Sequence, residues 1–183
     1  MRLSMHDYHH LAMRTSPRDG HDKLCNGTLG LIGETGELVD IYKKYKFQST
    51  MDAQLPIARI ADELGDVLWY LVELADGMDK ELGEISANFA KLDSNAWALE
   101  LPPSLENTIV RLSRSASLIR REVERGKTQE IHREMRHMLT LAARLGRLIG
   151  IRLSEIAYLN IEKLKARYPK GFDAEISMAR YTG

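Results

Sequence analysis

Leu31-Ile32-Gly33-Glu34-Thr35-Gly36-Glu37-Leu38 and Asp62-Glu63-Leu64-Gly65-Asp66-Val67-Leu68 share one pattern, a pair of carboxylates three residues apart inside an apolar periodic segment. At about 100° per residue, Glu34 and Glu37 share a helix side with Leu31, Leu38 and Ile41, while Glu63 and Asp66 share one with Ile60, Val67, Tyr70 and Leu74. A stripe of that kind faces a core, where an ionised carboxylate is costly unless a cation pairs with it. Two readings are open at this level: four acids converging on one or two divalent cations through oxygen ligands, or an unusually acidic pair of helices. Spacing alone does not decide, because Asp19/Asp22, Glu37/Asp40, Glu73/Asp76, Asp76/Asp79 and Glu81/Glu84 repeat it. On the helical wheel Glu73 and Asp76 fall with Trp69, Gly77 and Lys80, which reads as a solvated face.

Outward from these stretches, 3.6-period segments dominate and alternating β-branched runs are few, so the chain reads as an all-α helical bundle. Helices are expected over about 5–14, 24–45, 56–78 and 82–99, with Pro102-Pro103 as the clearest internal boundary. Beyond it Ser104 reads as an N-cap, two amphipathic helices meet near Gly126, and a last long helix runs from about Ser154 to before Pro169, leaving a short tail. Gly27, Gly30, Gly33 and Gly36, three apart in the second helix, each lower its propensity by about 1 kcal/mol relative to alanine. Close approach of another helix or of a ligand is the expected compensation.

The 183 residues suffice for one core or two small ones. One cysteine, Cys25, allows neither a disulfide framework nor a zinc site, and no apolar run spans a bilayer or forms a signal core, so a cytoplasmic protein away from membranes is expected. Net charge is zero, yet residues 1–104 carry 10 Lys and Arg against 17 Asp and Glu, and residues 105–168 carry 14 against 7. A basic segment can face a nucleic-acid polymer, but an acidic half on the same chain favours the two halves facing one another or sharing a small anionic ligand.

The second part also echoes the first. Asn88-Phe89-Ala90-Lys91-Leu92 resembles Asn160-Ile161-Glu162-Lys163-Leu164, and Glu84-Ile85 echoes Glu155-Ile156. The same offset of about 71 sets Glu63 against Glu134 and Asp66 against His137, while Leu38-Val39 against Leu118-Ile119 sets Glu34 opposite Arg114 and Glu37 opposite Ser117. The organisation expected is a tandem duplication: an acid-bearing unit at 1–101, a degenerate second helical unit at 104–172 packed against it, and a tail at 173–183. Arg114 in place of Glu34 repels a cation, so only the first copy keeps a site for one.

Glu34-x-x-Glu37 followed after 25 residues by Glu63-x-x-Asp66 resembles the MazG-like nucleoside triphosphate pyrophosphohydrolases, all-α enzymes to which the dimeric dUTPases look related. The words around the acids match too, Gly-Leu-Ile-Gly-Glu-Thr-Gly-Glu-Leu-Val-Asp at 30–40 and Asp-Glu-Leu-Gly-Asp-Val-Leu-Trp-Tyr-Leu at 62–71, as does Asn160-x-x-Lys163-Leu164-x-x-Arg167-Tyr168-Pro169-x-Gly171-Phe172. The resemblance implies Mg²⁺-dependent hydrolysis, with Mn²⁺ as the alternative ion, of a nucleoside triphosphate to monophosphate and pyrophosphate, and a role in clearing nucleotides. It implies Glu34, Glu37, Glu63 and Asp66 as the metal-binding and catalytic acids, and Asn160, Lys163 and Arg167 as substrate-side residues. Lys91 matches the basic motif in the first copy, but Asn95 stands where its arginine belongs, so either the second half lends its cations or the first manages with Lys91. Single-unit members work as dimers, so the roughly seventy extra residues here imply a monomeric pseudo-dimer, or a homodimer of it, with one live site.

Other residues carry weaker signals. Lys43, Lys44 and Lys46 can reach phosphates, with Lys44 the substrate candidate, but a cationic helix C-terminus explains them equally well. Trp69 and Tyr70 can stack a base, yet aromatics on a long helix are more often core. His6 and His10 have metal spacing but read as exposed, and Glu134-x-x-His137 matches one of the two pairs a di-iron bundle needs. The alternative to an enzyme is a non-catalytic helical nucleotide-binding or protein-interaction module, for which an intact acid quartet has no use.

Overall fold

A computed structural model describes residues 3–16, 22–86 and 104–179. Among the described residues the chain forms eight helices and no strand: α1 (Met5–Met13), α2 (Lys23–Gln48), α3 (Ile57–Asp76), α4 (Leu82–Ser86), α5 (Leu105–Glu124), α6 (Thr128–Leu148), α7 (Leu153–Arg167) and α8 (Ala174–Ala179). Local chemistry sets their ends. Ser4, Asp22 and Ser104 each accept the backbone N–H of the third residue onward, which satisfies a free donor at the starts of α1, α2 and α5. Gly126, at φ +63°, makes the left-handed turn between α5 and α6. The expected fourth helix is described only over Leu82–Ser86; the rest of it, with Asn88, Lys91, Asn95 and the Pro102-Pro103 boundary, lies outside the described residues. α8 lies in what reads from sequence as a plain tail.

α2 and α3 form an antiparallel hairpin in which Asn26 meets Glu73 and Glu34 meets Glu63. α5 lies antiparallel along the other side of α2, with Arg120 near Cys25 and Thr28 at one end and Glu106 beside Tyr42 and Lys46 at the other. α5 and α6 form a second hairpin, and α7 packs on α3 and α1. α3 is the most enclosed helix: Ile60, Leu64, Val67, Leu68, Leu71, Val72, Leu74 and Ala75 are all buried. A common spacing relates two pairs of helix starts, though not those of α2 and α5. α3 begins at 57 and α6 at 128, α4 at 82 and α7 at 153, an interval of 71 each time.

The glycine ladder of α2 divides in two. A Cβ at Gly27 would meet the Leu74 backbone at 3.2 Å, a tight contact, and one at Gly30 would enter the Tyr70 ring at 2.1 Å, so a side chain at Gly30 would displace that ring. Gly33 and Gly36 have nothing within 4 Å. Glu73 departs from the expectation of a solvated face. It is fully buried, accepting hydrogen bonds from the Asn26 amide at 2.6 Å and the Ser16 hydroxyl at 3.0 Å, while half-buried Asp76 pairs with Lys23 and His9. The wheel misses this because α3 is covered on more than one face, and a buried acid survives where donors satisfy it.

No helix among the described residues is long and apolar enough to cross a membrane. The packing predicts opposite outcomes along one helix. Gly30→Ala lowers stability by about 1–3 kcal/mol through overpacking, whereas Gly36→Ala raises it by up to about 1 kcal/mol through helix propensity. Urea-denaturation midpoints of the two variants check this.

Candidate active site

The α2–α3 register brings one turn of each helix together. Ligand oxygens of Glu34 on α2 and of Glu63 and Asp66 on α3 all lie within 4.8 Å of one another, and all three residues are half-buried. Glu37, a turn further along α2, is exposed and does not join that group. Asp62, a turn before Asp66, faces outward at the rim.

Three carboxylates so close cannot all be charged without a counter-ion. Glu34 shows the strain most: burial first, then the charges of Asp66 and Glu63, push its carboxyl up to about 7. Glu63 is also raised, by burial and by the charges of Asp66 and Asp62. A proton on Glu34 is therefore favoured up to near neutral pH, beside the Glu63 carboxyl.

The second half of the chain reaches this cluster through α7. Lys163 Nζ lies 2.8 Å from Asp66 Oδ2 and 2.7 Å from Asp62 Oδ1, bridging the two acids. Asn160, buried one turn earlier, donates from Nδ2 to Asp66 Oδ1 at 2.9 Å. The Tyr8 hydroxyl on α1 in turn donates to Asn160 Oδ1 at 2.9 Å and lies 3.3 Å from the Gly65 carbonyl. Tyr8 is fully buried, and burial together with the Asp66 charge holds its hydroxyl well above the ordinary tyrosine value, so it stays a donor. Gly65 lets α7 come this close, since a Cβ there would stand 3.0 Å from the Asn160 side chain.

The remaining candidates separate. Asn160 belongs to the support of Asp66 and does not face open solvent. Arg167 is half-buried a turn beyond Lys163 and pairs with no acid among the described residues. Lys44 and Lys43 pair with Asp40, and Lys46 with Glu106, at the exposed end of α2. Trp69 donates its N–H to Thr15 Oγ1 at 2.9 Å, and Tyr70 lies against Gly30, so both are packing residues here. Lys91 lies outside the described residues. At the positions set against the acids by the internal echo, Arg111 lies 3.4 Å from the His137 ring and Glu134 pairs with Arg133. Sequence reasoning missed Tyr8 and Gly65, whose only signal is a place on a buried stripe.

Two facing helices gather carboxylates, and a lysine from a third caps them. Residues 26–91 match the model of the MazG nucleotide pyrophosphohydrolase domain. A protein of Mycobacterium phage L5, described as Gene 37 protein, is 35% identical over 78 residues, covering 42% of this chain and 68% of its own length. No solved structure matches the chain. The chain belongs to the MazG nucleotide pyrophosphohydrolase family, whose substrates are nucleotides and whose members typically use a divalent metal.

The raised Glu34 carboxyl has a stability consequence of definite sign. Between its unfolded value of 4.5 and its folded value of about 7 the native state binds the extra proton, so metal-free stability falls as pH rises through that window. Thermal melts of metal-free protein are expected to shift downward from about pH 5 to about pH 8, and Glu34→Gln is expected to flatten that shift.

Proposed function

We propose that this protein is a divalent-metal-dependent nucleoside triphosphate pyrophosphohydrolase that cleaves between the α- and β-phosphates, releasing a nucleoside monophosphate and pyrophosphate. The observation that carries the reading is the Glu34–Glu63–Asp66 cluster inside the matched family domain. The donor set fits the implied ion. All three ligands are oxygens, which suit Mg²⁺ or Mn²⁺. Opposite ligands of an octahedral Mg²⁺ stand about 4.2 Å apart for bonds of about 2.1 Å, within the spread of this cluster. Glu34, Glu63 and Asp66 would hold the ion, with Glu37 turning in from the exposed rim as the fourth acid. When bound, the ion supplies counter-charge to phosphoryl oxygens and makes a bound water more acidic.

The chain's own residues do the rest. Asn160, itself held by Tyr8, fixes one Asp66 oxygen and leaves the carboxylate little rotational freedom. Lys163 holds the other oxygen and brings positive charge to the cluster's edge, where it serves a phosphate as readily as a carboxylate. Arg167, a turn further along α7 and unpaired with any described acid, extends that charge toward the departing pyrophosphate. Asn160 is thus a positioning residue, and Lys44, committed to Asp40, stays peripheral.

In this reading the chain is a duplicated unit acting as a single-chain pseudo-dimer. The common interval of 71 between the starts of α3 and α6 and of α4 and α7 supports it, as does the supply of Lys163 and Asn160 to acids on α3. The second copy's Arg114, Glu134 and His137 leave one live site. A binding module without turnover is the second reading, and it has no use for three carboxylates gathered within 4.8 Å.

Pyrophosphate release from a panel of ordinary and modified nucleoside triphosphates, with and without Mg²⁺, tests the assignment. Glu63→Ala is expected to abolish release while circular dichroism stays native. Lys163→Ala is expected to lower turnover about 10²–10³-fold, as loss of a charged group at a reacting phosphate does. No turnover on any nucleotide with Mg²⁺ or Mn²⁺ present would sink the enzyme reading. Sedimentation is expected to give a mass near one chain, 20.8 kDa, or twice that for a dimer of it.

A further inference from the structure

α1 presents two different faces. Tyr8 is about 200° of helix rotation from both His6 and His10, so it points into the core while the two histidines point outward. His6 and His10, one turn apart, lie with ring centroids 4.5 Å apart. A carboxylate from far along the chain meets both rings, from the connection before α4: His6 Nδ1 is 2.8 Å from Glu81 Oε2, and His10 Nε2 is 3.3 Å from Glu81 Oε1. Ligand atoms of all three residues lie within 4.8 Å of one another.

We infer that His6, His10 and Glu81 form a second metal site, for a divalent ion of zinc's class, separate from the acidic cluster. Two imidazoles at helical i, i+4 spacing and one carboxylate are a donor set that suits zinc, cobalt(II) or nickel(II), whereas magnesium takes oxygens. Tetrahedral zinc with bonds of about 2.0–2.1 Å holds its ligand atoms about 3.4 Å apart. The spread here closes to that by side-chain rotation, and His6 and His10 are exposed enough to rotate freely. A fourth position remains open to water. His9 stays outside the site, because it is buried against Asp76 and faces the Leu82 N–H.

The ion would act on the fold before any chemistry. Glu81 belongs to the connection between α3 and α4, so a bond from His6 and His10 to Glu81 through one ion ties α1 to that connection. α1 is the helix that carries Tyr8, and Tyr8 holds Asn160, which holds Asp66. Zinc at this site therefore braces the docking of the helix that supports the catalytic cluster from behind.

The test is calorimetric titration of zinc into tag-free, full-length protein carrying Glu63→Ala, so that the acidic cluster has lost one of its ligands. One zinc per chain is expected, with a rise in melting temperature that excess Mg²⁺ does not reproduce. His6→Ala, His10→Ala and Glu81→Gln are each expected to weaken zinc binding by more than the about 10- to 100-fold that loss of a mere supporting contact costs. All three side chains lie at the surface, and unchanged zinc-free melts would show that the variants fold. Cobalt(II) is expected to give visible absorption bands lost in the same variants. Zinc affinity unchanged in either histidine variant would overturn the site, and unchanged affinity in Glu81→Gln would overturn the three-ligand assignment.

Discussion

The mutual repulsion of Glu34, Glu63 and Asp66 is the constraint from which the rest of the structure takes its meaning. Half-buried carboxylates within 4.8 Å of one another are unstable as three free anions. The chain answers this in two ways it can manage alone: a proton kept on Glu34, and the Lys163 ammonium set against Asp66 and Asp62. The first answer fails as pH rises toward and beyond about 7, and the second leaves negative charge in excess. A site built this way is poised for a cation, which is what the family's chemistry needs.

Holding the acids in that state demands rigid scaffolding. α2 and α3 meet so closely at Gly27 and Gly30 that their register cannot slip without a clash, and that register sets Glu34 against Glu63. Gly65 does the same for α7, admitting Asn160 to the back of Asp66. The cost in helix propensity is about 1 kcal/mol per glycine, and the contact with a buried partner helix offsets it. Lower on the same hairpin, buried Glu73 is satisfied by Asn26 and Ser16, a second acid kept by specific donors.

Much of this was legible before any coordinates. The long 3.6-period stripes marked the helices, Ser104 and Gly126 marked two of their ends, and the wheel put Glu34, Glu37, Glu63 and Asp66 on core-facing edges, although Glu37 is exposed. Long-range partnerships were not legible. Nothing in the spacing of Glu73 told that α2 and the end of α1 would cover it, and nothing near His6 and His10 announced Glu81, seventy residues away. Tyr8 was invisible for the same reason: a tyrosine on an apolar stripe reads as packing until Asn160 is seen at its hydroxyl. The charge asymmetry was more informative than any of these, since the basic half does send Lys163 to the acidic half.

The central claim is that a divalent ion takes the place of the proton that the raised Glu34 carboxyl holds near neutral pH. Calorimetry of Mg²⁺ binding in buffers of different ionisation enthalpy, about one pH unit below the raised Glu34 value of about 7, counts the protons displaced. The account predicts release of close to one proton per Mg²⁺ bound, falling toward zero well above pH 7 and absent in Glu34→Gln. Mg²⁺ binding with no proton release at the lower pH, or release unchanged in Glu34→Gln, would contradict it.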